Sequence, residues 1–188
     1  KSFNMLNNNL CMWIAGRMGV AVPWNEMVFV RLNGRDYGVM EMYEQPDGSF
    51  ERIRHLAAND VPVFRGDFKR VTNRALPPKL TLWRDAANWE YVSEADSTVA
   101  WAHIRALANI IADSTLSLVQ RRDTLARLID VDAFARYFAA MVVVNTKHMD
   151  QFHNQWLVLS PRTGRFYPIF WDALLMFPPA GEPLYFVN

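Results

Sequence analysis

The chain has 188 residues, of which 51% are hydrophobic and 13% aromatic, with 8 Gly and 10 Pro. That is enough for one domain with a sizeable core, and it excludes a disordered, low-complexity or collagen-like chain. Twenty Lys and Arg against nineteen Asp and Glu leave a net charge of +1, which gives no overall reason to expect nucleic acid or an anionic membrane as the main partner.

The single cysteine, Cys11, cannot form an internal disulfide, and its apolar neighbours predict a buried thiol. The most hydrophobic run, Ala139 to Val144, is far too short to cross a bilayer, so no membrane insertion is expected. The first residue is Lys and no signal-peptide pattern follows it, so the chain reads as a piece of a longer protein.

In chain order, Met5, Leu6, Leu10, Trp13, Ile14 and Met18 fall near a helical period and predict a first helix ending near Gly19. Met27 to Leu32 alternates, Asn33-Gly34 is a strong type I′ turn signal, and Tyr37 to Tyr43 can run back antiparallel. The turn Pro46-Asp47-Gly48-Ser49 predicts a helix over Phe50 to Ala58 with Ser49 as cap, and Val61 to Arg65 reads as a short strand. Gly66 to Ser93 shows no clean period and reads mostly as loop or as a lobe connection. Three helices follow, from Asp96 or Ser97 to Ala112, from Ser114 or Ser117 to Leu128, and from Asp130 or Asp132 to Val144. A second hairpin comes last, with strands Gln155 to Ser160 and Arg165 to Trp171 around the turn 161–164. This order predicts an α+β domain with two unequal lobes.

Chemistry concentrates after the last helix. Asn145 to Asn154 reads NTKHMDQFHN, and the final hairpin ends in Phe170-Trp171-Asp172. A carboxylate and an amide four residues apart, with a second carboxylate one hairpin later, form a set that suits Mg²⁺ with a nucleotide. Such an ion takes one or two protein oxygens plus phosphates, while another carboxylate can orient an attacking hydroxyl. His148 and His153 flank Asp150, but a zinc site would need a third ligand and helical spacing. Asx side chains can also brace loops, which is the plainer reading of Asp150 and Asn154. The seven tryptophans read mainly as core, with Trp171 and Trp83 placed nearest a site. No Gly-rich phosphate loop and no G-x-S-x-G elbow is present.

Taken together, Val28 to Glu44 (VFVRLNGRDYGVMEMYE) and Ile129 to Asp172 resemble the spore-coat protein H (CotH) kinase-like family over most of the chain. The resemblance implies an atypical protein-kinase-like fold in a single domain, 1–188, with an incomplete small lobe at about 1–75 and a helical lobe at about 76–188. It implies ATP and Mg²⁺ as cofactors, and phosphoryl transfer to Ser or Thr of protein substrates. Asp150 would be the catalytic acid of the active loop, and Asn154 and Asp172 the metal ligands. Arg65, on the strand where a phosphate-binding Lys is expected, and Lys69 would contact phosphates, and Glu44 would pair with such a cation, the plainer reading of Glu44 being an ordinary exposed strand-end charge. Glu41, by strand alternation, points the opposite way from Glu44. Lys69, Arg70 and Arg74 with Arg65 form a modest basic cluster, which reads foremost as a solvated face and otherwise as a hold for phosphate or an acidic substrate.

The chain departs from the pattern in three places. Three residues separate Asp150 from Asn154, where ordinary kinases have four, and Leu174 replaces the second acid of a Pro-Trp-Asp-x-Asp ending. The family's leading small-lobe strands are expected upstream of Lys1. A second reading is therefore a catalytically inert kinase-like scaffold acting as a surface binding or adhesion module. A third is a hydrolase or nucleotidyl transferase using the same acids. A spore-coat, secreted or surface setting follows from the resemblance alone.

Overall fold

The computed structural model of the protein describes residues 3–67, 82–146 and 154–173. Helix α1 (Phe3–Arg17) ends where Gly19 takes a φ of 75°, with Gly19 N–H donating to Gly16 and Val20 N–H to Ala15, an ending that glycine makes inexpensive. Among the described residues, its buried side matches the stripe the periodicity picked out only at Ile14, with Met18 packing just beyond the helix end. Leu6, Leu10 and Trp13 are exposed, whereas Asn8, Cys11, Met12 and Ala15 are buried. The helix is apolar on several sides, and the small side chains of Cys11 and Ala15 give the close approach to Tyr137, Ala140, Met141 and Val144.

Strands β1 (Asn25–Leu32) and β2 (Arg35–Tyr43) form the expected hairpin. Asn33 and Gly34 have φ of 51° and 76°, the two positive values that a type I′ turn needs. Much of this ribbon is exposed, including Phe29, Tyr37 and Val39. Its base is fastened to α1 by Asn9 Nδ2 to Asn25 Oδ1 (2.9 Å), Asn25 Nδ2 to Met12 Sδ (2.7 Å) and Asn8 Nδ2 to Glu41 Oε1 (3.1 Å).

The second sheet is antiparallel in the order β4-β3-β5-β6, from β3 (Val63–Gly66), β4 (Trp89–Tyr91), β5 (Trp156–Leu159) and β6 (Phe166–Ile169). On one face Phe64, Leu157, Leu159 and Phe166 pack with Ala100, Ile104, Leu107 and Phe134. On the other, Val63, Trp156, Val158 and Ile169 pack with Phe50 and Val61. β3, from the first 75 residues, pairs with β5, from the last 35 or so, so one sheet joins both halves of the chain.

Besides α1, the helices are α2 (Phe50–Ile53), α3 (Thr98–Ala112), α4 (Leu118–Leu128) and α5 (Val131–Val144). Side chains at or just before the starts of α3, α4 and α5 accept from first-turn backbone N–H groups. Asp96 Oδ1 accepts from Thr98 N–H, Ser117 and Gln120 form a capping box, and Asp130 Oδ1 accepts from Ala133 N–H. α5 closes with Asn145 in the left-handed region at φ 47°.

Several expectations are corrected. The helix after Ser49 is a single turn, because the Ser49 hydroxyl donates to Asp47 instead of capping and His55 leaves helical space at φ 57°. Within the 66–93 stretch, expected mostly as loop or as a lobe connection, the described residues include a 3-10 turn (Ala86–Asn88) and β4, a strand too short to show a period. Trp13 and Trp24 are exposed and not core. Trp83 belongs with Trp89 and Phe134 in the interior of the helical side. Among the described residues no helix is long and apolar enough to cross a membrane. The architecture is α+β, with helices around two small antiparallel sheets.

Candidate functional site

The register of the four-stranded sheet decides what can meet. Arg65 of β3 lies opposite Trp156 of β5, which lies opposite Ile169 of β6. Because neighbouring strands run antiparallel, the end of β3, the approach to β5 and the exit from β6 share one end of the sheet. Gly66 N–H donates to Gln155 O (3.0 Å) at that end. Three residues expected at a site lie at or just beyond these strand ends: Arg65, Asn154 two residues before Trp156, and Asp172 three residues after Ile169. Asn154 is wholly buried, and Asp172 is half-buried with a φ of 51°. Asp150 and Lys69 lie outside the described residues, as do His148 and His153.

An aromatic row backs this end. The rings of Trp156 and Trp171 are 5.5 Å apart, and Tyr43 meets Trp171 edge-on at 5.2 Å. The Arg65 guanidinium sits 5.7 Å from the Trp156 ring centre, within cation–π range, and pairs with Glu90 through Nε and Oε2 at 2.8 Å. Arg65 therefore has a partly exposed charge held between a ring and a carboxylate.

Glu44 pairs with Arg54. Arg54 donates to it twice, Nη2 to Oε2 at 2.6 Å and Nη1 to Oε1 at 2.9 Å, and Trp24 N–H donates at 3.0 Å. Arg54 also donates to Phe50 O and Val22 O and lies 3.7 Å above the Phe50 ring. Glu44 and Arg65 thus belong to separate ion pairs. Glu44 and Arg54 form part of the wall of a cleft of ≈ 520 Å³ with Val22, Pro23, Trp24 and Ile53.

Glu41 faces away from Glu44, as alternation requires, and toward Asp172. Burial raises the Glu41 carboxyl above the usual carboxylate range; the hydrogen bond from Asn8 opposes the shift and the charge of Asp172 adds to it. Burial likewise raises the Tyr43 phenol, with Asp172 and then Glu41 contributing. Asn8 ties these elements together, since its Nδ2 donates to Glu41 and its Oδ1 accepts from Ala173 N–H at 3.0 Å. Asn8, Glu41 and Tyr43 were not among the candidates from sequence. Asn8 stands at i of an i, i+3, i+4, i+7 set completed by Cys11, Met12 and Ala15, but apolar residues on other sides of α1 keep that set from standing out in the sequence.

Asn154 and Asp172 each carry oxygen donors, a residue chemistry that suits Mg²⁺ over zinc. Among the described residues no three His, Cys, Asp or Glu side chains gather as a metal cluster, but Mg²⁺ carried with a nucleotide needs only one or two protein oxygens. The buried indole nitrogen of Trp156 has no hydrogen-bond acceptor among the described residues, a donor that an anionic oxygen would satisfy.

No curated protein matches the chain. The family model described as CotH kinase protein matches residues 3–178, nearly the whole length. The chain belongs to the CotH kinase family.

Proposed function

We propose that the protein transfers the γ-phosphoryl group of ATP, with Mg²⁺, to Ser or Thr hydroxyls of protein substrates. The observation that carries this reading is that Arg65, Asn154 and Asp172 lie at or just beyond strand ends at one end of the four-stranded sheet in a member of a kinase family. Asn154 and Asp172 would hold the metal ion, which when bound with ATP neutralises phosphate charge. Arg65 and Lys69 would contact the phosphates. Arg65 suits the task because its pairing with Glu90 is half-exposed and exchangeable. Asp150 would orient the substrate hydroxyl and accept its proton. Glu44 would act by fixing Arg54 in the wall of its cleft. The catalytic domain is read as two lobes, at about 1–75 and 76–188, with a protein as partner and neither nucleic acid nor membrane insertion required.

Leu174, at the position of the family's second acid, favours a second reading in which the scaffold binds a surface partner without turnover. Binding of a fluorescent ATP analogue separates the two. The kinase reading expects Mg²⁺-dependent binding that Asp172→Ala abolishes while the circular dichroism spectrum is unchanged. Absence of nucleotide binding by the folded wild-type chain would overturn it and leave the scaffold.

A further inference from the structure

We propose that Asn8 of α1 is a positioning residue for Asp172, coupling the backbone that carries this acid to the β1–β2 hairpin. The inference rests on the kinase reading, because it assigns Asp172 to cation binding. Three observations carry it. Asn8 is 4% exposed and shares the buried side of α1 with Cys11, Met12 and Ala15. Its amide makes one hydrogen bond in each direction, accepting from Ala173 N–H at 3.0 Å and donating to Glu41 Oε1 at 3.1 Å. Asp172, the residue before Ala173, is held at φ 51°, a conformation that costs a non-glycine residue about 1 kcal/mol or more and persists where the surroundings impose it.

These facts fit together. Leaving the end of β6, the chain must turn so that Ala173 is fully buried against α1 while Asp172 remains half-buried. The Asn8 acceptor fixes the peptide between these two residues, and with it the direction in which the Asp172 side chain leaves the backbone. The Asn8 donor then ties that arrangement to β2 through Glu41. A carboxamide is needed, because the site asks for an acceptor and a donor about 2 Å apart on one short side chain. The result is an indirect support of the kind that usually changes metal affinity about 10–100-fold when removed.

The test is the affinity of Mn²⁺, read by electron paramagnetic resonance in the presence of a saturating non-hydrolysable ATP analogue, on the whole chain. Asn8→Ala is expected to weaken Mn²⁺ binding at least roughly tenfold while nucleotide affinity without metal stays as in wild type, a split that general loosening of the fold would not give. The double variant Asn8→Asp/Glu41→Gln keeps the net charge and the Ala173 acceptor, and reverses the link to β2 with the glutamine amide as donor. It is expected to bind Mn²⁺ within about threefold of wild type. If Asn8→Ala does not fold, the double variant still decides: folded but weak binding overturns the proposal. Wild-type affinity in Asn8→Ala, beside a lost site in Asp172→Asn, would overturn the role of Asn8 and leave the kinase reading standing. No Asp172-dependent Mn²⁺ binding in wild type would overturn both.

Discussion

The rings of Trp156 and Trp171 lie 5.5 Å apart, joining the start of β5 to the exit from β6. Asn154 precedes the first of these residues by two positions, and Asp172 directly follows the second. Trp171 also meets Tyr43 edge-on at 5.2 Å, so the same ring ties the hairpin to this end of the sheet. Contacts of this kind contribute about 0.5–1.5 kcal/mol each beyond burial.

Trp171→Leu removes both ring contacts while keeping an apolar side chain. It is expected to destabilise the protein by roughly 1–3 kcal/mol, measured by urea denaturation, and to weaken Mg²⁺-dependent nucleotide binding more than its stability loss explains under folded conditions. Unchanged nucleotide affinity would mean that the aromatic row does not position Asp172.

The ion pair of Arg54 with Glu44 is bidentate and mostly buried, with side chains 25% and 13% exposed. Arg54→Met leaves the Glu44 carboxylate without its cation and is expected to cost roughly 2–4 kcal/mol. Glu44→Gln should cost less, because its amide oxygen still accepts from Arg54. Equal losses for the two variants in urea titrations would contradict this account.

Arg65 and Glu90 form a looser pair, with side chains 35% and 42% exposed. Glu90→Gln is expected to change stability by less than about 1 kcal/mol. If Arg65 contacts phosphate, the same change releases the guanidinium and should lower the KM for ATP. A raised KM would indicate that Glu90 holds Arg65 in its working position instead of competing for it.

How much of this could be read from sequence differs by residue. Asn33-Gly34 was fully legible because a type I′ turn is a local requirement on two φ angles, and both are positive. The capping starts were legible to within a pair of candidates each, Ser114 or Ser117 and Asp130 or Asp132, of which the fold uses Ser117 and Asp130. The buried side of α1 was not, since a helix apolar on several sides leaves the choice of face to its neighbours. β4 was missed because Trp89 to Tyr91 gains its strand character only from pairing with β3. At the candidate site, Asn154 stood out in a polar run, four residues after Asp150, and Asp172 as an acid following Phe170-Trp171. The Asn8 link could not be read, because it spans 165 residues to Ala173.

Cys11 is fully buried, and desolvation pushes its thiol up to about 12. The neutral thiol is favoured in the folded state, so its contribution to stability is fully present below the ordinary thiol pKa. It declines as pH rises from there toward about 12. Cys11→Ala should therefore have a flatter alkaline limb of stability against pH than wild type, apart from a uniform packing loss. In the native wild-type protein, iodoacetamide should modify Cys11 only after denaturant is added. Rapid modification of native protein at pH 8 would contradict the buried assignment.

The most direct test of the central claim is transfer of labelled phosphate from γ-labelled ATP to the chain itself and to a Ser-rich protein acceptor, with and without Mg²⁺, for wild type, Asp150→Ala and Asp172→Ala. The account predicts incorporation into Ser or Thr that requires Mg²⁺ and both acids. Equal incorporation by Asp172→Ala, or none by a folded wild-type chain under conditions where it binds nucleotide and metal, would contradict it.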